Sequence, residues 1–215
     1  ESGASTWLMW LAAFSILAAS VIAMTKDNLK ARLAYSTISQ LSYITLGVAL
    51  ASSMGILGGG LHVVMHAMGK ITLFMCAGSI YVATHRTEIS QMTGLGRRMP
   101  ITFIAFLIGA LSIIGLPPLG GSWSKWLLMV GAVDAEHLFI LGVLLVSSLL
   151  NVAYLLPLVA KGFFLSNDTD AELVQSAEAS PLVWGPPAAT AFGCVVLFFY
   201  AGHIQDFLMP IVATN

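Results

Sequence analysis

Six stretches of mainly apolar residues alternate with short polar segments along the 215-residue chain. Each is long enough to cross the roughly 30 Å hydrocarbon core of a bilayer, which takes about 20 helical residues. None shows the strict alternation of apolar and polar residues that marks a β-barrel strand. The pattern therefore predicts an all-α, polytopic transmembrane helix bundle of about six spans, at about residues 7–24, 35–52, 57–83, 101–131, 138–165 and 182–202.

The fourth stretch contains helix-breaking residues near its middle: Pro117, Pro118, Gly120 and Gly121. Proline has no backbone N–H, and its ring clashes with the carbonyl one turn earlier. A broken helix survives inside a bilayer only where protein or a wet cavity covers the freed backbone, and such breaks are typical of ion-transport sites. A simple kink is the alternative. The double proline followed by a double glycine favours one discontinuous helix.

Composition supports the membrane prediction and excludes other classes of protein. Charged residues make up 9% of the chain and hydrophobic residues 58%, whereas a soluble domain has about 25% charged residues. The mean hydropathy is +0.89. A soluble enzyme, a disordered chain and a nucleic-acid binder are excluded on this basis, and two cysteines, Cys76 and Cys194, are too few for a disulfide scaffold. The lipid bilayer is the first predicted partner.

The loops between the spans predict an orientation. Seven of the nine basic residues fall in the loops at 25–34, 84–100 and 161–181, which share one side of a six-span bundle. The opposite loops contain no Lys or Arg. By the positive-inside rule the first set is cytoplasmic, which predicts a multi-pass protein of the cell (inner) membrane. The two remaining basic residues, Lys70 and Lys125, lie inside spans.

Three ionisable residues form a stripe on the third span. His62, His66 and Lys70 are spaced i, i+4, i+8, so they advance only about 40° per step around a helix. Imidazole accepts on one nitrogen while it donates from the other, and a lysine in a low-dielectric medium can release its proton. The stripe is typical of a proton relay. Two alternatives are histidines that are merely satisfied in a core, and a zinc site at His62 and His66; no Cys, Asp or Glu lies at a matching spacing, so no metal is predicted.

Lys125 is the second buried cation. It follows the predicted break and is flanked by Trp123, Ser124 and Trp126, of which Trp123 and Ser124 are predicted to line the path. Freed carbonyls, the Ser122 and Ser124 hydroxyls and trapped water could solvate its charge there. The alternative, snorkelling of its long stem to the membrane surface, is opposed by about ten residues that separate it from the next loop.

Lys30 can be read in two ways from the residues alone. It lies at the start of the second span, where a cytoplasmic topology signal is as good an explanation as a role in transport. The span then begins with an unusual number of polar side chains, which could line a hydrated path or make helix–helix contacts. These are Tyr35, Ser36, Ser39, Gln40, Ser42 and Tyr43.

Negative findings shape the functional prediction. No Asp or Glu lies in the middle of a predicted span, so both buried lysines lack a counter-charge within this chain. No CxxC, haem, iron–sulfur, phosphate-loop or serine-elbow pattern occurs. The sequence therefore predicts no cofactor and no redox or hydrolytic chemistry of its own, although the chain could be a subunit of a translocating oxidoreductase.

Four motifs follow one another in order: DNLKARLAYSTISQLSY, HVVMHAMGK, LGRRMP and GLPPLGGSWSKW. The series resembles the antiporter-like membrane subunits of respiratory complex I, Mrp-type cation/proton antiporters and membrane-bound hydrogenases, over about residues 7–165. SKWLL after the break is more similar to the Mrp D-type subunit. Members of this family have two inverted five-helix repeats, each with a broken helix. The resemblance implies that residues 1–165 are the second repeat, and that 166–215 form an acidic cytoplasmic loop, a final transmembrane helix and a short tail.

The resemblance also implies roles for individual residues. Lys30, His62, His66 and Lys70 are then the central and connecting proton carriers, and Lys125 is the carrier nearest the outside. The first repeat is absent from this sequence, together with its Lys and its Glu. The implied function is a proton-conducting subunit, with or without exchange of Na⁺, inside a larger complex of membrane subunits. A proton-pumping subunit of a complex I-like enzyme or hydrogenase is one alternative, and a structural subunit without its own flux is another.

Overall fold

The computed structural model of the protein describes residues 3–165 and 178–213. Its regular secondary structure there is entirely helical, which confirms the all-α prediction. Eight α-helices and one 3₁₀ turn (Ile89–Gln91) follow in the order α1 Gly3–Thr25, α2 Leu29–Ala49, α3 Ser53–Thr84, α4 Leu95–Arg98, α5 Pro100–Ile114, α6 Gly121–Asp134, α7 Leu138–Phe164 and α8 Pro181–Ala213.

Four of the described helices are long and apolar enough to cross a membrane: Ser5–Thr25, Ser53–Thr84, Leu138–Phe164 and Pro181–Val212. Helix α2 has 21 residues but is more polar, because its serines, Gln40 and two tyrosines lie inside it. It begins at Leu29, six residues before the predicted span, because the side chain of Asn28 caps its first turn by accepting from Ala31 N. Helix α8 continues past the predicted end at 202, since Gln205 and Asp206 lower hydropathy without breaking a helix.

The predicted break divides the fourth stretch into α5 and α6. Helix α5 ends at Gly115, which has a left-handed backbone (φ 91°) and donates its N–H to Leu111 O. A left-handed residue at this position is a common way to end a helix, and glycine adopts it without steric cost. Helix α6 begins at Gly121. At about 22 Å and 21 Å, the two helices are each too short to span the hydrocarbon alone, so together they form the predicted discontinuous helix.

Helix α3 is the centre of the bundle. It packs against α2, α5, α6 and α8, while α7 packs against α1, α5 and α6. One apolar cluster joins α2, α3, α5 and α7 around Leu33, Leu73 and Phe106. A second joins α1, α2, α6 and α7 around Ile16, Leu46 and Leu144. The polar stripe of α3 faces α2 and α6 rather than lipid.

The loops predicted to share one side do lie together. Leu29 N donates to Thr87 O, and Ile89 N donates to Asp27 O, each at 2.9 Å. Gly94 N donates to Lys161 O at 3.1 Å, which ties the end of α7 to the same group. Residues 166–177 of the predicted loop 161–181 lie outside the described part of the chain. Three chain connections thus meet at one end of the bundle.

Glycines allow α3 and α6 to approach closely. A Cβ atom added to Gly58 would lie 2.7 Å from the backbone N of Leu128 on α6. Backbone atoms cannot move aside as the end of a flexible side chain can. The separation of the two helices that carry the histidines and Lys125 therefore depends on the missing methyl group.

We predict that Gly58→Ala lowers the thermal stability of the assembled protein, with a cost of about 1–3 kcal/mol from overpacking. Gly78→Ala on the same helix is the matched control, because a Cβ there meets no atom within 4 Å. Thermal unfolding of both variants is the measurement. Equal melting temperatures would contradict the close packing.

Candidate functional site: a buried histidine and lysine cluster

The three ionisable residues of α3 lie on one buried face. His62, His66 and Lys70 are 2%, 6% and 6% exposed. The rings of His62 and His66 are stacked, with centroids 5.7 Å apart and an angle of 17° between their planes. The helical spacing predicted this stripe, and α3 places it toward the interior of the bundle.

Lys70 is held by α2. Its Nζ donates to Ser36 Oγ at 2.6 Å and to the backbone O of Leu33 at 3.1 Å. Both acceptors are neutral. Ser36, a predicted path-lining residue, is therefore in direct contact with the buried lysine.

His62 is held between α2 and α6. Its ring stacks on the Tyr43 ring at 5.4 Å, and its Nδ1 lies 2.9 Å from Ser124 Oγ. The Ser124 hydroxyl donates to Gly121 O at 3.1 Å, so it accepts from His62 Nδ1–H. This tautomer leaves Nε2 of His62 as a bare acceptor, able to take up a proton.

Lys125 is buried at the break and is 3% exposed. Its Nζ donates to Ile114 O at 3.1 Å and to Ser148 Oγ at 3.2 Å, and it lies 5.1 Å from the centre of the Tyr43 ring. In a continuous helix the N–H of residue 118 would bond Ile114 O, but residue 118 is a proline. The break therefore supplies the carbonyl that solvates the ammonium, as expected from the sequence, whereas the hydroxyl comes from Ser148 on α7 rather than from Ser122 or Ser124.

A largely apolar cavity of about 680 Å³ adjoins Lys125. The residues on either side of the break line it on one side, and α7 lines it on the other. Trp123, Trp126 and Phe198 form its aromatic wall. Trp123, a predicted path-lining residue, thus lines the same cavity as Lys125.

Several buried polar atoms where α2, α3 and α7 meet have no hydrogen-bond partner among the described residues. Buried polar groups in proteins are bonded to protein or to ordered water. Ordered water at these atoms would satisfy this requirement. The atoms are Gln40 Oε1, His62 Nε2, His66 Nδ1 and Asn151 Nδ2.

Helix α7 contributes residues that the sequence reasoning did not select. The Tyr154 hydroxyl contacts Ser36 Oγ at 2.8 Å and also Asn151 Oδ1, and Gln40 Nε2 lies 3.4 Å from Asn151 Oδ1. A signal was present in the sequence: Ser147, Asn151 and Tyr154 recur at i, i+4 and i+7 in an otherwise apolar span. At that spacing they share one helix face.

Other predicted residues lie away from the cluster. Lys30 is exposed, and its Nζ lies 5.0 Å from the centre of the Tyr81 ring. Tyr35 is half-buried, with Lys26 Nζ 5.4 Å from its ring centre. Ser39 is buried against α1, where it bonds Ser20 Oγ at 2.9 Å and Ile16 O at 3.1 Å. The structure therefore brings together His62, His66, Lys70, Lys125, Ser36, Tyr43 and Ser124, and it leaves Lys30, Tyr35 and Ser39 apart.

The hydrogen-bond partners of the lysines in this cluster are uncharged. Two histidines separate the two lysines. No group of three or more potential metal ligands occurs among the described residues. Every buried member can hold, donate or accept a proton, and the neutral surroundings do not fix a positive charge on either lysine.

Comparison with known proteins places these features in a family. A family profile described as "NADH:quinone oxidoreductase/Mrp antiporter, TM" matches residues 2–151. NADH-quinone oxidoreductase subunit N of Desulforudis audaxviator is 39% identical over 156 residues, which are 73% of this chain and 31% of that protein. NADH-quinone oxidoreductase subunit L of Rickettsia bellii is 32% identical over 200 residues, which are 93% of this chain and 30% of that protein. The chain thus spans about a third of the length of these curated relatives.

Solved structures have the same fold. A chain of respiratory complex I from Thermus thermophilus superimposes with a TM-score of 0.86 and 26% identity. The match covers 98% of this chain and 44% of the complex I chain. A chain of an Mrp complex from a Dietzia species gives a TM-score of 0.85 at 22% identity, covering 95% and 47%. The latter likeness concerns the fold alone.

We predict that Lys125→Met leaves the folded yield and thermal stability of the protein unchanged or raised. Methionine fills a similar volume without a charge, and replacing a buried charge by an apolar side chain is often neutral or stabilising. Lys125→Glu is the contrasting variant, because it places a carboxylate against Ile114 O and should lower the yield. Size-exclusion profiles and thermal unfolding measure both; a large loss with methionine would show that the ammonium is needed for folding.

Proposed function

We propose that this chain, which belongs to the NADH:quinone oxidoreductase/Mrp antiporter family of transmembrane proteins, conducts protons within a larger ion-translocating membrane complex. The observation that carries the proposal is the arrangement of two buried lysines with neutral partners, connected by two stacked histidines. Ionisable residues are expensive inside a membrane, and their default explanation there is functional. Here four of them occupy one continuous region.

In the proposed route a proton passes between Lys70 and Lys125 by way of the histidines. His66 lies one helical turn from Lys70, and His62 lies one turn further. His62 contacts Ser124, the residue directly before Lys125 in α6. Its bare Nε2 can accept a proton while Nδ1 keeps its own, as transfer through an imidazole requires. Ordered water at the unpartnered polar atoms would bridge the remaining gaps.

Lys30 takes a different place in the proposal. Its exposed position over Tyr81, at the start of α2, fits a residue that exchanges protons with the membrane surface or that marks topology. We place it outside the buried relay. Tyr35 and Ser39 likewise belong to the surroundings of the route.

The proposed orientation follows the basic residues. In this orientation the protein lies in the cell (inner) membrane. The cytoplasmic side is the end of the bundle that carries the loops at 25–34 and 84–100, and the predicted loop at 161–181 is assigned to the same side. Lys125 is then the carrier nearest the outside. We assign residues 1–165 to the second repeat of an antiporter-like domain, and 166–215 to the acidic loop, the last transmembrane helix and the tail.

Two kinds of complex suit this relay. In an Mrp-type antiporter it would serve exchange of H⁺ for Na⁺, and in a complex I-like oxidoreductase it would serve proton pumping. A counter-charge for the lysines would come from other membrane subunits or another part of the polypeptide. The rival proposal is a structural subunit, in which the buried residues pair with neighbouring chains and carry no flux.

We predict that Lys70→Ala and Lys125→Ala in the complete complex each lower proton flux by about a hundredfold or more per assembled complex, since a positioned proton-transferring group contributes at least about that much. Proton and Na⁺ flux in vesicles, normalised to assembled complex, is the measurement. Lys161→Ala is the matched control, because Lys161 lies in the last turn of α7, among the basic residues of the loops.

Two outcomes would contradict the proposal. Unchanged flux with normal assembly would remove both lysines from the route. Lower yield with normal flux per assembled complex would favour the structural subunit instead.

A further inference from the structure

Tyr154 is fully buried and its hydroxyl has two oxygen neighbours. Ser36 Oγ lies 2.8 Å away on α2, and Asn151 Oδ1 lies on the same face of α7 one turn earlier. Ser36 Oγ is also the closest acceptor of Lys70 Nζ, at 2.6 Å. A line of hydrogen bonds therefore runs from Lys70 through Ser36 and Tyr154 to Asn151.

The chemistry of the last member decides what this line can do. The Tyr154 hydroxyl has a single proton and lies in donor geometry to both Ser36 Oγ and Asn151 Oδ1, so these two oxygens compete for it, while Lys70 Nζ also donates to Ser36 Oγ. Gln40 Nε2 approaches Asn151 Oδ1 from the other side, at 3.4 Å. An amide oxygen accepts hydrogen bonds but does not take up a proton near neutral pH. The line therefore ends at Asn151 and is not a second conducting branch.

We propose that Tyr154, with Asn151, is a positioning residue for Lys70. Its hydroxyl donates to Ser36 Oγ, the oxygen that also accepts from the Lys70 ammonium, and Asn151 Oδ1 draws the same tyrosine proton away from Ser36. Lys70 then has two fixed acceptors, Ser36 Oγ and Leu33 O, and its third N–H is left for the histidine side of α3. This inference rests on the proposed proton route. It adds that the hydrogen bonds of Ser36, Tyr154 and Asn151 set how tightly Lys70 holds its proton.

The position of Tyr154 is itself supported from α2. Arg32 Nη1 donates to Tyr154 O at 3.0 Å, while Arg32 Nε donates to Lys26 O at 2.8 Å. The guanidinium thus fixes the backbone of α7 against the first turns of α2. Pro157 lies three residues further along α7, where its missing N–H weakens the helix locally. The carbonyl that Pro157 leaves without a donor is that of residue 153, so the Arg32 bond to Tyr154 O lies next to the weakened turn and does not replace the lost hydrogen bond.

The titratable groups around Lys70 come from several helices. His66 lies one turn earlier on α3, and Lys125 of α6 acts on His66 electrostatically. Helix α2 contributes Arg32 through the Tyr154 carbonyl, and α7 contributes Tyr154 itself. Helix α8 brings Cys194 within 4.0 Å of Thr72, and α5 brings the apolar Ile113 against Gly69. Only Tyr154 in this set reaches the Lys70 ammonium through a single intervening hydroxyl.

The test is the pH dependence of proton flux through the complete complex in vesicles. Tyr154→Phe keeps the ring and removes only the hydroxyl, and we expect it to shift the pH of half-maximal flux by about half to one unit, the equivalent of one hydrogen bond. The same substitution in a Ser36→Ala background should add no further shift, because the line is already cut. Tyr200→Phe on α8 is the matched control, since Tyr200 is 57% exposed and has no place in the route.

The outcomes separate this inference from the proposed function. An unshifted pH profile in Tyr154→Phe, or additive shifts in the double variant, would overturn the positioning role while leaving the route intact. If Lys70→Ala and Lys125→Ala leave the proton flux per assembled complex unchanged, the route itself is overturned. If Tyr154→Phe does not assemble, Asn151→Ala removes the terminal acceptor and should shift the profile as well; an unchanged profile there would also overturn the proposal.

Discussion

The solvation of two ammonium groups in a bundle of low dielectric is the constraint on which the rest of this structure depends. A charged lysine without partners costs many kcal/mol in such a medium. Here every observed partner is neutral: a carbonyl and a hydroxyl for Lys70, and the same pair of groups for Lys125. Neutral dipoles stabilise the charged form of a lysine less strongly than a paired carboxylate would, so they favour the bound proton less. The proposed exchange of protons at the two lysines depends on these neutral partners.

The broken helix is the clearest response to that constraint. The C-terminal end of a helix carries partial negative charge on its unsatisfied carbonyls. Helix α5 ends inside the bundle, and its last carbonyl, Ile114 O, is directed at Lys125.

Protonated groups within the cluster also repel one another. The rise of α3 between His62 and Lys70 is about 12 Å, and two positive charges at that distance repel by about 1.4 kcal/mol at an effective dielectric constant of about 20. A second proton in the cluster is thus disfavoured by about tenfold.

How much the sequence could predict depends on whether a feature is local or tertiary. The stripe of His62, His66 and Lys70 follows from the helical repeat, and the break follows from the backbone chemistry of Pro117 and Pro118. Both were predictable for that reason. The contact of Tyr154 with Ser36 joins positions 118 residues apart, and hydropathy carries no information on which faces of α2 and α7 meet. Helix α2 begins six residues before the predicted span, because hydropathy does not register the Asn28 cap.

Gly115 links the geometry of the break to the chemistry of the site. Its left-handed backbone ends α5, and a Cβ atom there would lie 2.8 Å from Cδ of Lys125. A side chain at this position would meet two separate penalties, one from backbone strain and one from the displaced lysine stem. The end of α5 and the position of the Lys125 ammonium thus both depend on the absence of a side chain at Gly115. A side chain at residue 115 would therefore disturb both the end of α5 and the position of the Lys125 stem.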